Sequence, residues 1–374
     1  MDKMNKKCKK FAKKFIFLFC LLLCLYNVGK CIEKLVENPT TTVIYFEEFG
    51  KQGVPSLTVC AYSNHLENST SYKKEKLAEH GLSPNDYIKQ RIWTSNSSDT
   101  SPEDLYEEIT WNLEDLVDRI EYTLRGNHYI INETTTDWQY FWTETRRKWE
   151  GRCFTFNSNS EMSFVGLSNV EIISKFPHDL VISYHGKSQT MDEDLSGISF
   201  LARHKQFYTL KVPVHIIKNR NTVNKPCSSE TENFDQKRNT IAVENMMEDL
   251  GCVVPFIERN KYKHPICINK TKAKIAEDIF EGYGPYYDLY NLNNIPLPCK
   301  QMHADPIQIF ESPEWDGQTW VNAMFARNSR ITEQQAAYSF HSLYAEVGGF
   351  VGLLLGISVY QLGSLIDIIP DLQP

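Results

Sequence analysis

The chain carries little that catalysis requires. It has no HExxH pair, no G-x-S-x-G elbow and no CxxC motif, and no Cys/His spacing suits a zinc site. The ten histidines are scattered, with no two placed to share a metal, and His178, His185 and His341 read as structural or exposed. The glycines from Gly348 onward do not form a phosphate loop, because no strand precedes them and no Lys-Ser/Thr closes them. Internal repeats and low-complexity segments are absent as well. Nor is there an excess of positive charge: the net charge is -7, which argues against nucleic acid as a partner. These absences lead to the expectation of a non-enzyme with no metal and no bound cofactor.

The sequence does contain two apolar runs and an acidic body between them. Met1 to Lys14 holds seven lysines against Asp2, about +6, so the net charge of -7 leaves about -13 on the rest. A basic end beside an apolar run, followed by an acidic body, is the positive-inside pattern of a membrane protein. The first run begins at Phe11 or Phe15 and reaches Val28, with an amphipathic continuation from Cys31 to Val36. It fits a first transmembrane helix, or a cleaved signal peptide with its exit near Val28-Gly29. Ten cysteines (Cys8, Cys20, Cys24, Cys31, Cys60, Cys153, Cys227, Cys252, Cys267 and Cys299) are dispersed along the chain. Four N-x-S/T sequons, at Asn68, Asn96, Asn132 and Asn269, all lie between the two apolar runs. Together they favour an oxidising, extracellular middle, with the sequons as glycosylation sites.

The second run organises the chain. Val347 to Ile366 contains no charged residue, and twenty residues at ~1.5 Å rise cover ~30 Å, the thickness of a bilayer core. Glu346 and Asp367 bracket it, and within it lie Gly348, Gly349, Gly352, Gly356, Gly363, Ser358, Gln361 and Ser364. A simple lipid anchor needs none of these. Glycine is tolerated in a span where backbones approach closely or carbonyls must be freed, and polar groups in lipid face partner helices or water. The stretch reads as a span that packs against copies of itself around a wet path.

Glu346-Val-Gly-Gly-Phe-Val-Gly-Leu-Leu-Leu-Gly-Ile-Ser358 resembles the second transmembrane helix of the degenerin / epithelial sodium channel / acid-sensing channel superfamily, here a short, invertebrate-like member. Two further motifs carry the likeness: Val54-Pro-Ser-Leu-Thr-Val-Cys60 and Gly151-Arg-Cys-Phe-Thr-Phe-Asn157. A third region, Gly251-Cys252-Val-Val-Pro-Phe256 with Pro265-Ile-Cys267, resembles the family's thumb. The resemblance implies two transmembrane helices flanking a large disulfide-bonded α+β extracellular domain of palm, finger and thumb type, assembled as a trimer. Its parts would be a basic cytoplasmic segment (1–10), a first span (11–36), the extracellular domain (37–338, finger about 62–150, thumb about 225–300), a second span (339–369) and a short tail (370–374). It further implies the disulfides Cys60–Cys153, Cys252–Cys267 and Cys227–Cys299, leaving Cys31 unpaired. Gly356, Ile357 and Ser358 fall where the family keeps its selectivity constriction. Glu346 would ring the outer mouth, Asp367 would sit at the inner mouth, and Gly348, Gly349 and Gly352 would pack the pore helices. Sodium would be the permeant ion. The sequence departs from the family in two places: no His-Gly pair precedes Phe11, and Ser364 stands where a glutamate is usual.

Local patterns supply the rest. Thr40 to Phe46 reads as a strand, and Val54-Pro55 onward as palm strand or edge strand. Ser101-Pro102-Glu103-Asp104 starts a helix in which Leu105, Ile109, Leu113, Leu116, Ile120 and Leu124 recur up to Gly126. Its acidic faces read as solvated. Trp138, Tyr140, Phe141, Trp142 and Trp149, with Arg146 and Arg147 between them, read as a core or a subdomain seam. Glu171–Tyr184 and Phe207–Ile217 read as strands, Asn239–Leu250 as a helix stopped by Gly251, and Trp315–Asn328 as the last strand before the membrane. Three functions fit: a sodium-permeable channel subunit in a homo- or hetero-trimer answering an unknown extracellular cue; a secreted or glycolipid-anchored binding glycoprotein; or a non-conducting modulatory subunit.

Overall fold

The computed structural model describes residues 2–37, 39–62, 73–81, 102–131, 138–144, 152–159, 163–186, 199–222, 225–228, 234–254, 264–281, 296, 298–313 and 317–355. They divide into two compact units, one made of 1–43 with 334–374 and the other of 44–333.

The larger unit is built on two sheets. The first has the order β1-β15-β11-β12-β8-β2-β6-β5, with β9 also on β8; the second is β13-β10-β14-β7-β3-β4. In chain order the strands are β1 (Thr40–Glu48), β2 (Ser56–Ala61), β3 (Arg119–Leu124), β4 (Asn127–Ile131), β5 (Trp138–Glu144), β6 (Arg152–Ser158), β7 (Leu167–Ser174) and β8 (Leu180–His185). They continue with β9 (Phe200–Ala202), β10 (Gln206–Val212), β11 (Val214–Lys218), β12 (Lys300–Ala304), β13 (Ile307–Pro313), β14 (Thr319–Phe325) and β15 (Asn328–Ala336). One hydrophobic cluster joins the sheets, drawing Leu57, Val59, Ile182 and Tyr184 from the first and Tyr122, Ile172, Leu210 and Val321 from the second.

Prolines help determine where the chain changes sheets. β10 lies in the second sheet and β11 in the first, separated only by Pro213. Proline offers no N–H to a ladder, so the strand breaks there and turns the corner. Phe207–Ile217 is therefore two strands rather than the single one its composition predicts. Pro306 sits at the equivalent step from β12 to β13, and Pro177 lies in the turn from β7 to β8, which splits the expected Glu171–Tyr184 strand. β14 passes to β15 through Ala326-Arg327, where the Arg327 carbonyl accepts from the Phe49 amide at 2.8 Å. β10 runs parallel to β14 and β11 parallel to β15, so two segments change sheets side by side. The last strand is thus Asn328–Ala336, not Trp315–Asn328.

Two further expectations are corrected. β2 is no edge strand: all six of its residues are buried between β8 and β6. The helix expected up to Leu124 stops early. It forms α3 (Pro102–Ile109), breaks, restarts as α4 (Leu113–Leu116) and gives way to β3. The Thr110 hydroxyl donates back to the Tyr106 carbonyl at 2.7 Å, and Asn112 then begins a new turn in a capping box with Asp115. Beyond it Ile120 and Tyr122 alternate inward, and Arg125-Gly126, both at positive φ, close a two-residue hairpin to β4.

Helices form a second core. α2 (Lys74–Glu79) and α3 share buried contacts with α5 (Phe234–Leu250) and α6 (Lys270–Glu281), through Leu77, Tyr106, Ile109, Met246 and Ile279. Gly251 ends α5 at φ +68, its amide donating to the Met247 carbonyl at 3.1 Å. Asn269 starts α6, its Oδ1 accepting from the amides of Thr271 (2.9 Å) and Lys272 (3.3 Å). Three disulfides staple the unit: Cys60–Cys153 between facing positions of β2 and β6, Cys252–Cys267 within the helical core, and Cys227–Cys299. These are the pairs that the resemblance implies.

Candidate functional site

The smaller unit holds the two apolar segments. α1 (Asp2–Glu37) contains Lys14–Glu37, which among the described residues is the one helix long and apolar enough to cross a membrane. α7 (Phe340–Leu355) is a shorter apolar helix packed on α1. At ~1.5 Å per residue its sixteen residues cover ~24 Å.

The distribution of side chains on α1 is inverted relative to a helix in water. Phe15, Ile16, Phe19, Leu22, Leu25 and Ile32 point outward and are exposed. Cys20, Cys24, Asn27 and Cys31, at helical spacing, are buried or half-buried. In water, leaving such apolar side chains exposed costs roughly 1.5–3 kcal/mol each. In lipid it costs nothing, and small or weakly polar residues are what helix interfaces there use. Asn27 satisfies its amide locally, its Nδ2 donating to the Leu23 carbonyl at 2.8 Å.

Glu346, on the second turn of α7, is the polar centre of this pair of helices. Its Oε2 accepts from the Cys31 thiol at 3.2 Å and from the Tyr338 hydroxyl at 3.0 Å, with Lys34 Nζ at 3.6 Å. Lys34 also lies over the Tyr338 ring, 5.6 Å from its centroid. The unpaired Cys31 and the basic Lys34 thus acquire a role that sequence reasoning had not given them. The only signal for it was their position at the end of the first apolar run. Ser339 caps α7, accepting from the Ser342 amide at 3.2 Å.

The other expected residues divide between those described and those not. A Cβ added at Gly348 or Gly349 would meet nothing within 4 Å in this chain, so neither glycine is needed for contact with α1. Gly352 also lies on α7. Gly356, Ile357, Ser358, Gly363, Ser364 and Asp367 lie outside the described residues, as do Asn68, Asn96, Asn132 and Trp149. Asn269, the fourth sequon, is exposed at the start of α6. His178 packs edge-on to Phe176, and burial holds its imidazole below the ordinary range. Among the described residues, no three His, Cys, Asp or Glu side chains come together as a metal site.

The chain thus combines an N-terminal helix long and apolar enough to cross a membrane with a disulfide-bonded two-sheet body. The sequence profile of the family described as Amiloride-sensitive sodium channel matches residues 9–303, and the chain belongs to that family. It is accordingly a membrane protein with a large disulfide-bonded extracellular domain, of a sodium-channel-like class and not an enzyme class. Among solved structures, a "Cryo-EM structure of a proton-activated chloride channel" matches at 10% identity. The match covers 95% of this chain and 96% of that one, but at a TM-score of 0.29 it supports no conclusion about fold or function. No curated protein matches the chain.

Proposed function

We propose that the chain is one subunit of a trimeric, sodium-selective, voltage-independent cation channel in the plasma membrane. It opens to an extracellular stimulus, and the segment 339–369 lines the pore. Family membership supports the class. The observation that carries the reading further is the inverted α1–α7 pair, with apolar side chains outward and Cys31, Tyr338 and Glu346 joined inside it.

The chemistry asked of the pore is modest. Gly356 would let the helix unwind, so that the carbonyls of Gly356 and Ile357 and the Ser358 hydroxyl form an oxygen collar replacing part of the ion's hydration shell. An extracellular body (37–338) of net charge about -11 raises the local cation concentration by long-range attraction. Sodium is here the transported ion. Gly348 and Gly349, open on their own subunit, are available to sister helices. Glu346 is held by its own subunit in this arrangement, so a ring of Glu346 carboxylates at the mouth requires its release from Cys31 and Tyr338.

Expression in oocytes under voltage clamp, with sodium replaced and amiloride applied, tests the class. Ser358→Cys should make the current sensitive to thiol reagents, and unchanged currents would count against the collar. Glu346→Gln should lower single-channel current at low salt more than at high salt. A chain silent alone that alters the current of a co-expressed relative would instead be the modulatory subunit.

A further inference from the structure

The chain holds Glu346 away from the place where a pore would use it. Its Oε2 takes the Cys31 thiol at 3.2 Å, the Tyr338 hydroxyl at 3.0 Å and, more distantly, Lys34 Nζ at 3.6 Å. Cys31 and Tyr338 are both buried, and Lys34 lies over the Tyr338 ring. Among the described residues, Glu346 takes part in every polar side-chain contact between α1 and α7. Just outside the two helices the backbone is tied as well, the Ala337 amide donating to the Pro39 carbonyl at 2.8 Å.

The orientation of α7 makes the conflict specific. At ~100° per residue, His341, Ala345, Gly348 and Gly352 lie along one stripe of the helix, and all four are exposed. Glu346 sits about 130° round the helix from the middle of that stripe. The stripe includes the glycines left open for sister helices, whereas Glu346 is turned to α1. One orientation of α7 therefore cannot offer both the open glycines and the carboxylate to the same axis. Bringing Glu346 to the axis takes roughly a third of a turn of α7, and the bonds from Cys31 and Tyr338 break on the way.

We propose that Cys31 and Tyr338 are positioning residues of an autoinhibitory latch. They hold the Glu346 carboxylate against α1 in the shut chain, and opening breaks both bonds as α7 turns. Hydrogen bonds accepted by a carboxylate are the strong kind, and surroundings of low dielectric strengthen them further. The latch needs a donor at position 31 rather than sulfur as such, and a hydroxyl at position 338 rather than only a ring. The gating role rests on the channel reading; the contact between α1 and α7 does not.

The test uses the full chain throughout. Glu346→Cys, purified in detergent and oxidised with copper–phenanthroline, should form an intrachain disulfide with native Cys31, found by peptide mapping without reductant. Glu346→Cys/Cys31→Ser should lack it. A disulfide joining position 346 of two subunits, with no bond to Cys31, would overturn the latch. Oocyte currents read the gating. Cys31→Ala and Tyr338→Phe should each raise the resting open probability roughly tenfold, the effect of losing one hydrogen bond to a charged acceptor. Cys31→Ser keeps a donor and should stay at the wild-type level, and oxidised Glu346→Cys should be silent until a dithiol reductant is added. Resting currents unchanged by Cys31→Ala and Tyr338→Phe, or raised equally by Cys31→Ser, would overturn the latch and leave the channel standing. Silence of the wild type and every variant, all present at the cell surface, would overturn the channel reading and the gating role with it, while the disulfide result still decides the contact.

Discussion

Replacing Cys60 and Cys153 together by alanine should cost more stability than any other disulfide deletion in the chain. The two half-cystines face each other across β2 and β6 and are separated by 93 residues. In the chain-entropy account a cross-link closing a loop of that length stabilises by about 4.7 kcal/mol. The Cys252–Cys267 bond, spanning 15 residues, contributes about 3 kcal/mol by the same relation. The difference of about 1.7 kcal/mol corresponds to a folding equilibrium roughly fifteen- to twentyfold apart. Packing acts in the same direction, because Cys60 and Cys153 are buried against Val181 and alanine leaves a small void there. The assay is denaturant unfolding of the full chain in detergent, followed by tryptophan fluorescence. The slope should steepen as the unfolded chain expands, more for the long loop than for the short one. Equal losses, or a larger loss for Cys252→Ala/Cys267→Ala, would refute the reasoning and place the stabilisation in the native state.

Gly50→Ala should be severely destabilising, by several kcal/mol. A Cβ there would lie 2.2 Å from the Phe164 carbonyl oxygen, in a residue at φ +87. Gly53→Ala, with open space at φ +96, should cost only the strain of about 1 kcal/mol, so similar melting temperatures for the two variants would contradict the packing. Asn269 combines a sequon with a helix cap. Thr271→Ala should abolish any enzymatically removable mass at that site while leaving stability nearly unchanged, whereas Asn269→Ala should remove both the mass and about 1 kcal/mol. No mass change on glycosidase treatment of protein from an animal-cell host would remove the glycan at this position.

Much of the chemistry was readable from local pattern because it depends on contiguous residues. Two short cysteine motifs around Cys60 and Cys153, and the Gly251-Cys252 turn, pointed to bonds that the fold contains. Where one pattern served two periods, the reading failed. Ile120 and Leu124 satisfy helical i, i+4 spacing, yet Ile120, Tyr122 and Leu124 equally satisfy strand alternation, and pairing with β7 decided for the strand. Phe207–Ile217 read as one strand across Pro213, and that the chain moves from one sheet to the other at that proline was not legible. Glu346 was legible as a charge at the edge of an apolar run, but its partners Cys31 and Tyr338 were not, since their meeting depends on how α1 and α7 pack.

The sequence alone therefore determined what contiguous residues can encode: two apolar segments, an oxidised and acidic middle, and glycines and serines within the second of those segments. Only tertiary structure decided which distant side chains share a face. His185, His303, His215 and Arg330 stand in register across β8, β12, β11 and β15 because burying their neighbours Tyr184, Met302, Ile216 and Ile331 in the core sets the register of those strands.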